Sequence, residues 1–219
     1  MSLDYLWQIT GPMLEGARTT VLLFFLAIIT SIPLGFVFTL MVRSHVKPIA
    51  WFANGYIYIL RGTPLLLQML FICFGLPVIP VIGEFLVLDR FVAAALAFTL
   101  NYAAYFAEIF RGGLIAIDKG QYEAAQVLGL GRWHTMTRII LPQMFRIALP
   151  AVSNESITLV KDTALLYAVA VPELLHFAQT AVNRDFTITP FIVAGVIYLL
   201  MTLVLTLLFK ALERKFKFE

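Results

Sequence analysis

Charge is scarce in this sequence. Of its 219 residues only 13% are charged, whereas 61% are hydrophobic, and the mean hydropathy is +0.90. Soluble globular domains are about half apolar and about one quarter charged. The shortage of charge therefore excludes an ordinary soluble domain and indicates a membrane protein.

Apolar–polar alternation is also missing from the long apolar runs. A membrane-spanning β-strand would alternate over about ten residues, whereas a helix needs about 20 apolar residues to cross the roughly 30 Å hydrocarbon core. We therefore predict an all-α, polytopic membrane protein with five transmembrane helices, in which residues 1–219 form a single transmembrane domain. The predicted spans are residues 17–42, 63–81, 91–110, 147–171 and 188–209.

Residues that carry catalysis or bind metals are few. Cys73 is the only cysteine, so an internal disulfide is excluded, and no lysine precedes Ser or Thr, as a phosphate-binding P-loop requires. The three histidines, His45, His134 and His176, lie in different loops and do not predict a metal site. We expect no catalytic residue, no metal, no cofactor and no nucleic-acid partner in this chain. If the protein is an active transporter, a partner must hydrolyse the ATP.

The basic residues are divided unequally between the two sides of the predicted spans. Twelve of the 16 Lys and Arg residues lie between spans one and two, between spans three and four, or in the C-terminal tail, and only three lie on the other side. Cytoplasmic loops carry the excess of Lys and Arg in membrane proteins. We therefore predict that the N-terminus is outside and the C-terminus is cytoplasmic.

A polar segment, residues 118–142, separates spans three and four. Asp118 and Gln121 resemble a capping box at a helix start, and Gly129 and Gly131 interrupt the helix that follows. A second short helix then leads to Pro142. The pattern predicts two short helices around a glycine turn on the cytoplasmic side. Two interpretations remain open: an amphipathic linker on the membrane surface, or a docking element for a soluble partner.

Polar and charged residues also occur inside the predicted spans, where ions are costly and are usually functional. Two overlapping stripes follow helical spacing in span four, one through Glu155 and Asp162 and one through Asn154 and Lys161, with Thr158 common to both. Such a face is expected to line a water-filled path or a helix interface. The residues that we predict to complete a substrate path are Asn101 and Tyr105 of span three and Gln68 of span two.

Two acidic residues in these spans each allow two interpretations. A carboxylate near mid-membrane at Glu155 would favour a substrate with a cationic side chain, such as arginine, lysine or histidine, or it would pair internally with Lys161 or another basic group. Glu108 precedes Arg111 by one helical turn near the cytoplasmic end of span three. This pair is either a structural ion pair or part of a gate.

The polar segment resembles the cytoplasmic signature of ABC importer permeases, the EAA motif. That signature is matched here, without change of spacing, by Glu123, Ala124, Ala125, Gly129, Ile139, Leu141 and Pro142. The stretches RGTPLLLQ, NYAAYFAEIFRGG, KGQYEAA, VKDTALLYAVAVPELL and ALERKFK are similar to the permeases that import polar amino acids. This likeness extends over nearly the whole chain.

The resemblance implies a fold, partners and roles. Glu123, Ala124, Ala125, Gly129, Leu141 and Pro142 would couple the chain to two cytoplasmic ATPase subunits, which bind the ATP and Mg. A second permease subunit, either another copy or a sister chain, and an extracytoplasmic solute-binding protein would complete an importer in the lipid of the bacterial inner membrane. Glutamine, glutamate and cystine are further possible substrates. The alternatives are a passive polar-solute channel and a structural membrane partner subunit.

Overall fold

The computed structural model describes residues 3–216 and shows helices throughout, with no strand in that range. Lys217, one of the basic tail residues counted above, lies outside the described residues. The α-helices are α1 (Leu3–Val42), α2 (Lys47–Gly62), α3 (Leu65–Leu70), α4 (Arg90–Ile115), α5 (Lys119–Val127), α6 (Arg132–His134), α7 (Leu141–Asp162), α8 (Leu174–Asp185) and α9 (Thr189–Phe216). The all-α membrane fold predicted from composition is confirmed.

Helix α4 lies at the centre of the molecule. Six of its buried residues up to Ala104 are alanines, and small side chains allow neighbouring helices to approach closely. Where α1 crosses it, a Cβ added to Gly35 would lie 2.8 Å from the carbonyl oxygen of Ala103. The hydroxyl of Thr39 donates a 2.9 Å hydrogen bond to the carbonyl of Ala107 at the same crossing. The alanine-rich sequence thus makes α4 the core against which α1, α2 and α7 pack.

Two of the predicted spans are bent rather than continuous. The segments Lys47–Gly62 and Leu65–Val78 meet at 106°, and Arg132–Val169 and Leu174–Asp185 meet at 55°. The predicted second span, 63–81, begins at the first bend and so omits α2. In the predicted fourth span, 147–171, α7 ends at Asp162 and a 3₁₀ segment, Thr163–Val169, follows it. Pro64 and Pro172 lie at the two bends, and the residue before a proline is driven out of helical geometry.

Length and composition allow three helices, α1, α4 and α9, to cross a membrane, or up to five spans if each bent pair counts as one. Only 6% of the residues in the most apolar stretch of α9 are buried within the chain. Its leucines Leu199 and Leu207 are 67% and 58% exposed. Such apolar exposure suits contact with lipid or with another membrane subunit and not with water.

Helix α8 is fastened between α1 and α9 by a buried carboxylate. Glu173 accepts hydrogen bonds from the backbone N–H groups of Leu175 and His176 at 2.8 and 2.7 Å, and from the hydroxyl of Tyr198 at 2.9 Å. Gly16 of α1 lies against the backbone of Glu173. The carboxylate therefore caps α8 and joins three helices at the end of the bundle opposite residues 118–140.

Candidate functional site

The helix break at Thr63 and Pro64 leaves backbone carbonyls of α2 without their helical partners. Thr63 and Pro64 both have extended backbone angles, as expected around a proline. The amides of Gln68 and Asn101 fill the gap, since both donate to the carbonyl of Leu60, at 2.8 and 3.0 Å. Asn101 also donates to the Gln68 side-chain oxygen at 3.0 Å. Gln68, predicted to lie on the substrate path, is therefore occupied in holding the break.

A cavity of about 500 Å³ opens beside this break, and we call it the acidic cavity. Its wall contains two carboxylates, Glu155 and Asp162, and no lysine, arginine or histidine. Five of the eight residues predicted for the substrate path meet here, although they come from different helices. The lining residues are Thr63, Pro64, Leu65, Leu66, Asn101, Tyr102, Tyr105, Glu155, Thr158, Asp162 and Leu165.

A buried tyrosine orients one of the two carboxylates. The hydroxyl of Tyr102 donates a 2.7 Å hydrogen bond to Asp162, and the tyrosine side chain is only 1% exposed. Tyr102 was not among the residues predicted for the substrate path, because the helical repeat through Asn101 and Tyr105 does not include it. Its position could have indicated a role, because Tyr102 is a polar aromatic residue within a span and directly follows the predicted path residue Asn101.

The two polar stripes predicted on span four separate in the structure. Thr158 joins Glu155 and Asp162 in the acidic cavity, whereas Asn154 and Lys161 lie on the exposed face of α7 and are not part of its wall. Among residues 3–216, the ion pairs within 4.0 Å include none between Lys161 and Glu155. The structure therefore does not show the ion pair with Lys161 that was an alternative role for Glu155.

A second cavity, of about 530 Å³, lies nearer the end of α4 that leads to residues 118–140, and we call it the arginine cavity. Arg111 forms a two-point ion pair with Glu108, with its Nε at 2.8 Å from Oε2. Arg61 of α2 places Nη1 at 3.8 Å from the same carboxylate and Cζ at 5.3 Å from the ring centre of Tyr105. The predicted pair of Glu108 and Arg111 thus forms, and Arg61 is a third member that the sequence did not indicate.

The polar segment 118–142 folds as two helical pieces around a tight turn. Asp118 caps α5 by accepting a 2.6 Å hydrogen bond from the N–H of Gly120, and Gly129 has a left-handed φ of 70°. The N–H groups of Gly129 and Leu130 return to the carbonyls of Gln126 and Ala125, both at 3.0 Å. This pattern is a Schellman motif, which ends a helix with glycine in the left-handed conformation.

The turn presents an exposed apolar tip. Val127, Leu128 and Trp133 are 87%, 74% and 81% exposed. Glu123 and Ala124 are also exposed, whereas Ala125 is buried. Of the other residues assigned to coupling by resemblance, Leu141 packs against the main core and Pro142 lines an apolar pocket at the base of α7. An exposed apolar tip with one acidic residue is suited to a protein partner.

Between residues 3 and 216, no group of three or more His, Cys, Asp or Glu side chains is arranged to hold a metal ion. The acidic cavity has two carboxylates on separate turns of one helix, together with amide and hydroxyl groups. That set suits a polar organic cation that hydrogen-bonds at several points.

Comparison with known proteins assigns the chain to a family. Residues 31–218 match the family described as "Binding-protein-dependent transport system inner membrane component". The arginine transport system permease protein of Bacillus subtilis (strain 168) is 40% identical over 206 residues, which cover 94% of this chain and 92% of that protein. The L-cystine transport system permease protein of the same strain is 36% identical over 215 residues, covering 97% and 90%.

A solved structure agrees with the sequence relatives. It is described as an amino acid ABC transporter with histidines, and its chain is 34% identical to this one, with a TM-score of 0.87 over 98% of this chain and 100% of that chain. These relatives are permease subunits rather than enzymes. The chain therefore belongs to the family of binding-protein-dependent transport system inner membrane components, the permease subunits of ABC importers.

Proposed function

We propose that this chain is the permease subunit of an ATP-driven importer of basic amino acids such as arginine, lysine or histidine, with the acidic cavity as its substrate site. The observation that carries the proposal is the meeting of Glu155 and Asp162 in one cavity whose wall has no basic side chain. Two carboxylates in a spanning region are costly unless a cation compensates them. A basic amino acid supplies that cation.

The remaining wall suits the rest of such a substrate. The volume of about 500 Å³ lies within the usual range of roughly 300–1,000 Å³ for small-molecule sites. Asn101 and Thr158 offer an amide and a hydroxyl for the amino and carboxyl groups, and Tyr105 offers an aromatic face that attracts cations. An arginine permease and a transporter with histidines among the relatives support this substrate class, whereas the cystine relative keeps a neutral amino acid as the second candidate.

The free energy of ATP hydrolysis by a partner subunit would reach this chain through the segment 118–142. We propose that Glu123, Ala124, Ala125 and Gly129, with the exposed tip of Leu128 and Trp133, dock into a separate ATPase subunit that binds ATP and Mg. Leu141 and Pro142 would transmit its movement because they join this segment directly to α7, which carries Glu155 and Asp162. The docking element is thereby continuous with one wall of the substrate cavity.

The same proposal includes the assembly and its orientation. Two ATPase subunits would bind on the cytoplasmic side, a solute-binding protein would deliver substrate outside, and a second permease subunit would complete the path. The exposed Lys161 and Asn154 on α7 support a second subunit or an aqueous path along that face, because a lysine on a spanning helix does not face lipid without a partner.

The test is ATP-driven uptake in proteoliposomes that contain the permease, its ATPase and its binding protein, with arginine, lysine, histidine, glutamine and cystine offered in competition. We expect uptake of the basic amino acids. In Glu155→Gln, arginine uptake should fall by roughly 10- to 150-fold, which corresponds to a charged hydrogen bond of about 1.5–3 kcal/mol. Any glutamine uptake should change far less.

Glu15→Gln, on the exposed surface of α1, is the matched control for loss of one negative charge and should transport as the unchanged protein does. Glu155→Gln with an unaltered ratio of basic to neutral uptake would contradict the assigned role of Glu155. Uptake that is indifferent to ATP would instead support a passive channel.

A further inference from the structure

Arg61 occupies the boundary between the two polar cavities. Its guanidinium lies over the ring of Tyr105, and Tyr105 lines both the acidic cavity and the arginine cavity. Arg61 is in the last turn of α2, two residues before the break at Thr63. Passage from one cavity to the other along this wall would therefore meet a positive charge.

Arg61 is held loosely compared with its neighbour. Arg111 saturates the Glu108 carboxylate with a two-point ion pair from the same helix, whereas Arg61 reaches it only at 3.8 Å, beyond hydrogen-bond distance. Arg61 is also adjacent to the acidic cavity, because the Tyr105 ring that it covers lines that cavity together with Glu155 and Asp162. One guanidinium thus stands between the Glu108 carboxylate of the arginine cavity and the carboxylates of the acidic cavity.

The helix that carries Arg61 is anchored along its length, since the Tyr56 hydroxyl donates a 2.6 Å hydrogen bond to the carbonyl of Leu100 and the Tyr56 ring stacks on Phe38. Ala53 and Ile57 are its buried residues, and they belong to a small cluster that is separate from the main core. The other end of its last turn is the proline break, which the Gln68 and Asn101 amides cap. The backbone of α2 is therefore held in place, and movement at this boundary belongs to the Arg61 side chain, which is 39% exposed.

We propose that Arg61 is a tethered cation that competes with a basic amino acid for the acidic cavity. In the empty protein the guanidinium partly compensates Glu155. When a cationic substrate enters, like charges repel, and the Arg61 side chain moves toward Glu108 in the arginine cavity. This inference rests on the proposed function, because only a cationic substrate replaces the charge of Arg61.

The competition has a consequence for transport. A site that holds its substrate too tightly gains nothing in turnover, because release becomes slow. Arg61 weakens the binding of substrate by the two carboxylates, and bound substrate weakens the attraction of the acidic cavity for Arg61, because such coupling acts equally in both directions. Arg61 therefore lies beside the substrate site and affects both the selection of a cationic substrate and its release.

The test compares Arg61→Gln with Arg61→Lys in the complete permease–ATPase complex in nanodiscs. Equilibrium binding of labelled L-arginine without the binding protein gives the Kd, and proteoliposome uptake gives KM and kcat. We expect Arg61→Gln to bind L-arginine at least about fivefold more tightly, the lower end of coupling between linked sites, and to have a lower kcat. Arg61→Lys keeps the charge and should stay close to the unchanged protein.

Arg61→Gln is expected to fold, because Glu108 keeps its two-point pair with Arg111. Arg43→Gln, an exposed arginine at the end of α1, is the control for loss of one positive charge and should alter neither Kd nor kcat. An unchanged or weaker Kd for L-arginine in Arg61→Gln overturns the inference while leaving the proposed function intact. Failure of the unchanged complex to bind L-arginine overturns both.

Discussion

At the scale of single residues, the close crossing of α1 and α4 depends on the absence of one side chain. A Cβ at Gly35 would lie 2.8 Å from both the Ala103 oxygen and Phe106 Cβ, and 3.0 Å from the backbone N of Ala107. Backbone atoms cannot move aside as the end of a flexible side chain can. The α1–α4 crossing, and with it the position of Asn101 and Tyr105 on α4, therefore requires glycine at this position.

We predict that Gly35→Ala destabilises the protein by about 1–3 kcal/mol, the usual cost of overpacking a core. Gly195→Ala is the matched control, since it also lies within a long helix but has no atom within 4 Å of its added Cβ. The control should be neutral or gain up to about 1 kcal/mol of helix propensity. Thermal unfolding of both variants in one detergent measures the difference, and equal melting temperatures would contradict the close crossing.

Many residues of the candidate site were predictable from the sequence, but which of them lie together in one cavity was not. Helical spacing placed Glu155, Thr158 and Asp162 on one face, and those three do meet in the acidic cavity. The same reasoning could not separate them from Asn154 and Lys161, because Thr158 belongs to both stripes. Only the packing of α7 against its neighbours determines which stripe faces the cavity.

At the scale of elements, the departures from regular helix lie where the proposed function needs them. The break at Thr63 forms one wall of the acidic cavity, and the turn at Gly129 forms the exposed tip of the segment 118–142. Proline and glycine mark these places in the sequence. The size of the bends, 106° and 55°, was not predictable, because a proline permits a bend whose angle the neighbouring helices decide.

We predict that Gly129→Ala weakens coupling to the ATPase. Its φ of 70° suits glycine, and an L-residue pays about 1–2 kcal/mol in this conformation. No atom lies within 4 Å of the added Cβ, so the effect is purely conformational. Substrate-stimulated ATP hydrolysis by the purified complex should fall, with Gly129→Asn milder because asparagine tolerates left-handed geometry.

Gly131→Ala is the control for this turn, because Gly131 has an ordinary φ of −65° and open space around it. Glu123→Lys, which reverses an exposed charge on α5, should reduce co-purification of the ATPase. If Gly129→Ala and Glu123→Lys both retained full ATPase binding and stimulation, the coupling role of the segment would be wrong.

At the scale of the whole molecule, the outer surface is divided between apolar and basic regions. Helix α9 is almost entirely unburied within the chain and strongly apolar, while its last turn carries Arg214 and Lys215. Basic residues also gather in the segment 118–142 and at the start of α2. We expect a surface arranged in this way to sit in a bilayer with the basic end in the cytoplasm.

We predict this orientation as the outcome of cysteine labelling. In a Cys73→Ser background, Asp4→Cys should react with a membrane-impermeant maleimide in intact spheroplasts, whereas Lys119→Cys should react only after permeabilisation. Both positions are exposed, so differences in burial do not explain the contrast. Labelling of Lys119→Cys in intact spheroplasts would reverse the topology and place the segment 118–142 on the wrong side for an ATPase.

Composition and helical periodicity alone determined that this is an all-α membrane protein, because apolar runs of spanning length leave few other folds. They also located the polar segment 118–142, since its glycines and charged residues interrupt those runs, whereas its docking role is what the family resemblance implies. Tertiary structure alone decided that α2 bends away at Pro64, that Tyr102 holds Asp162, and that Arg61 reaches Tyr105 and Glu108. Those contacts join residues far apart in the chain, and the packing of helices around α4, rather than any local pattern, brings them together.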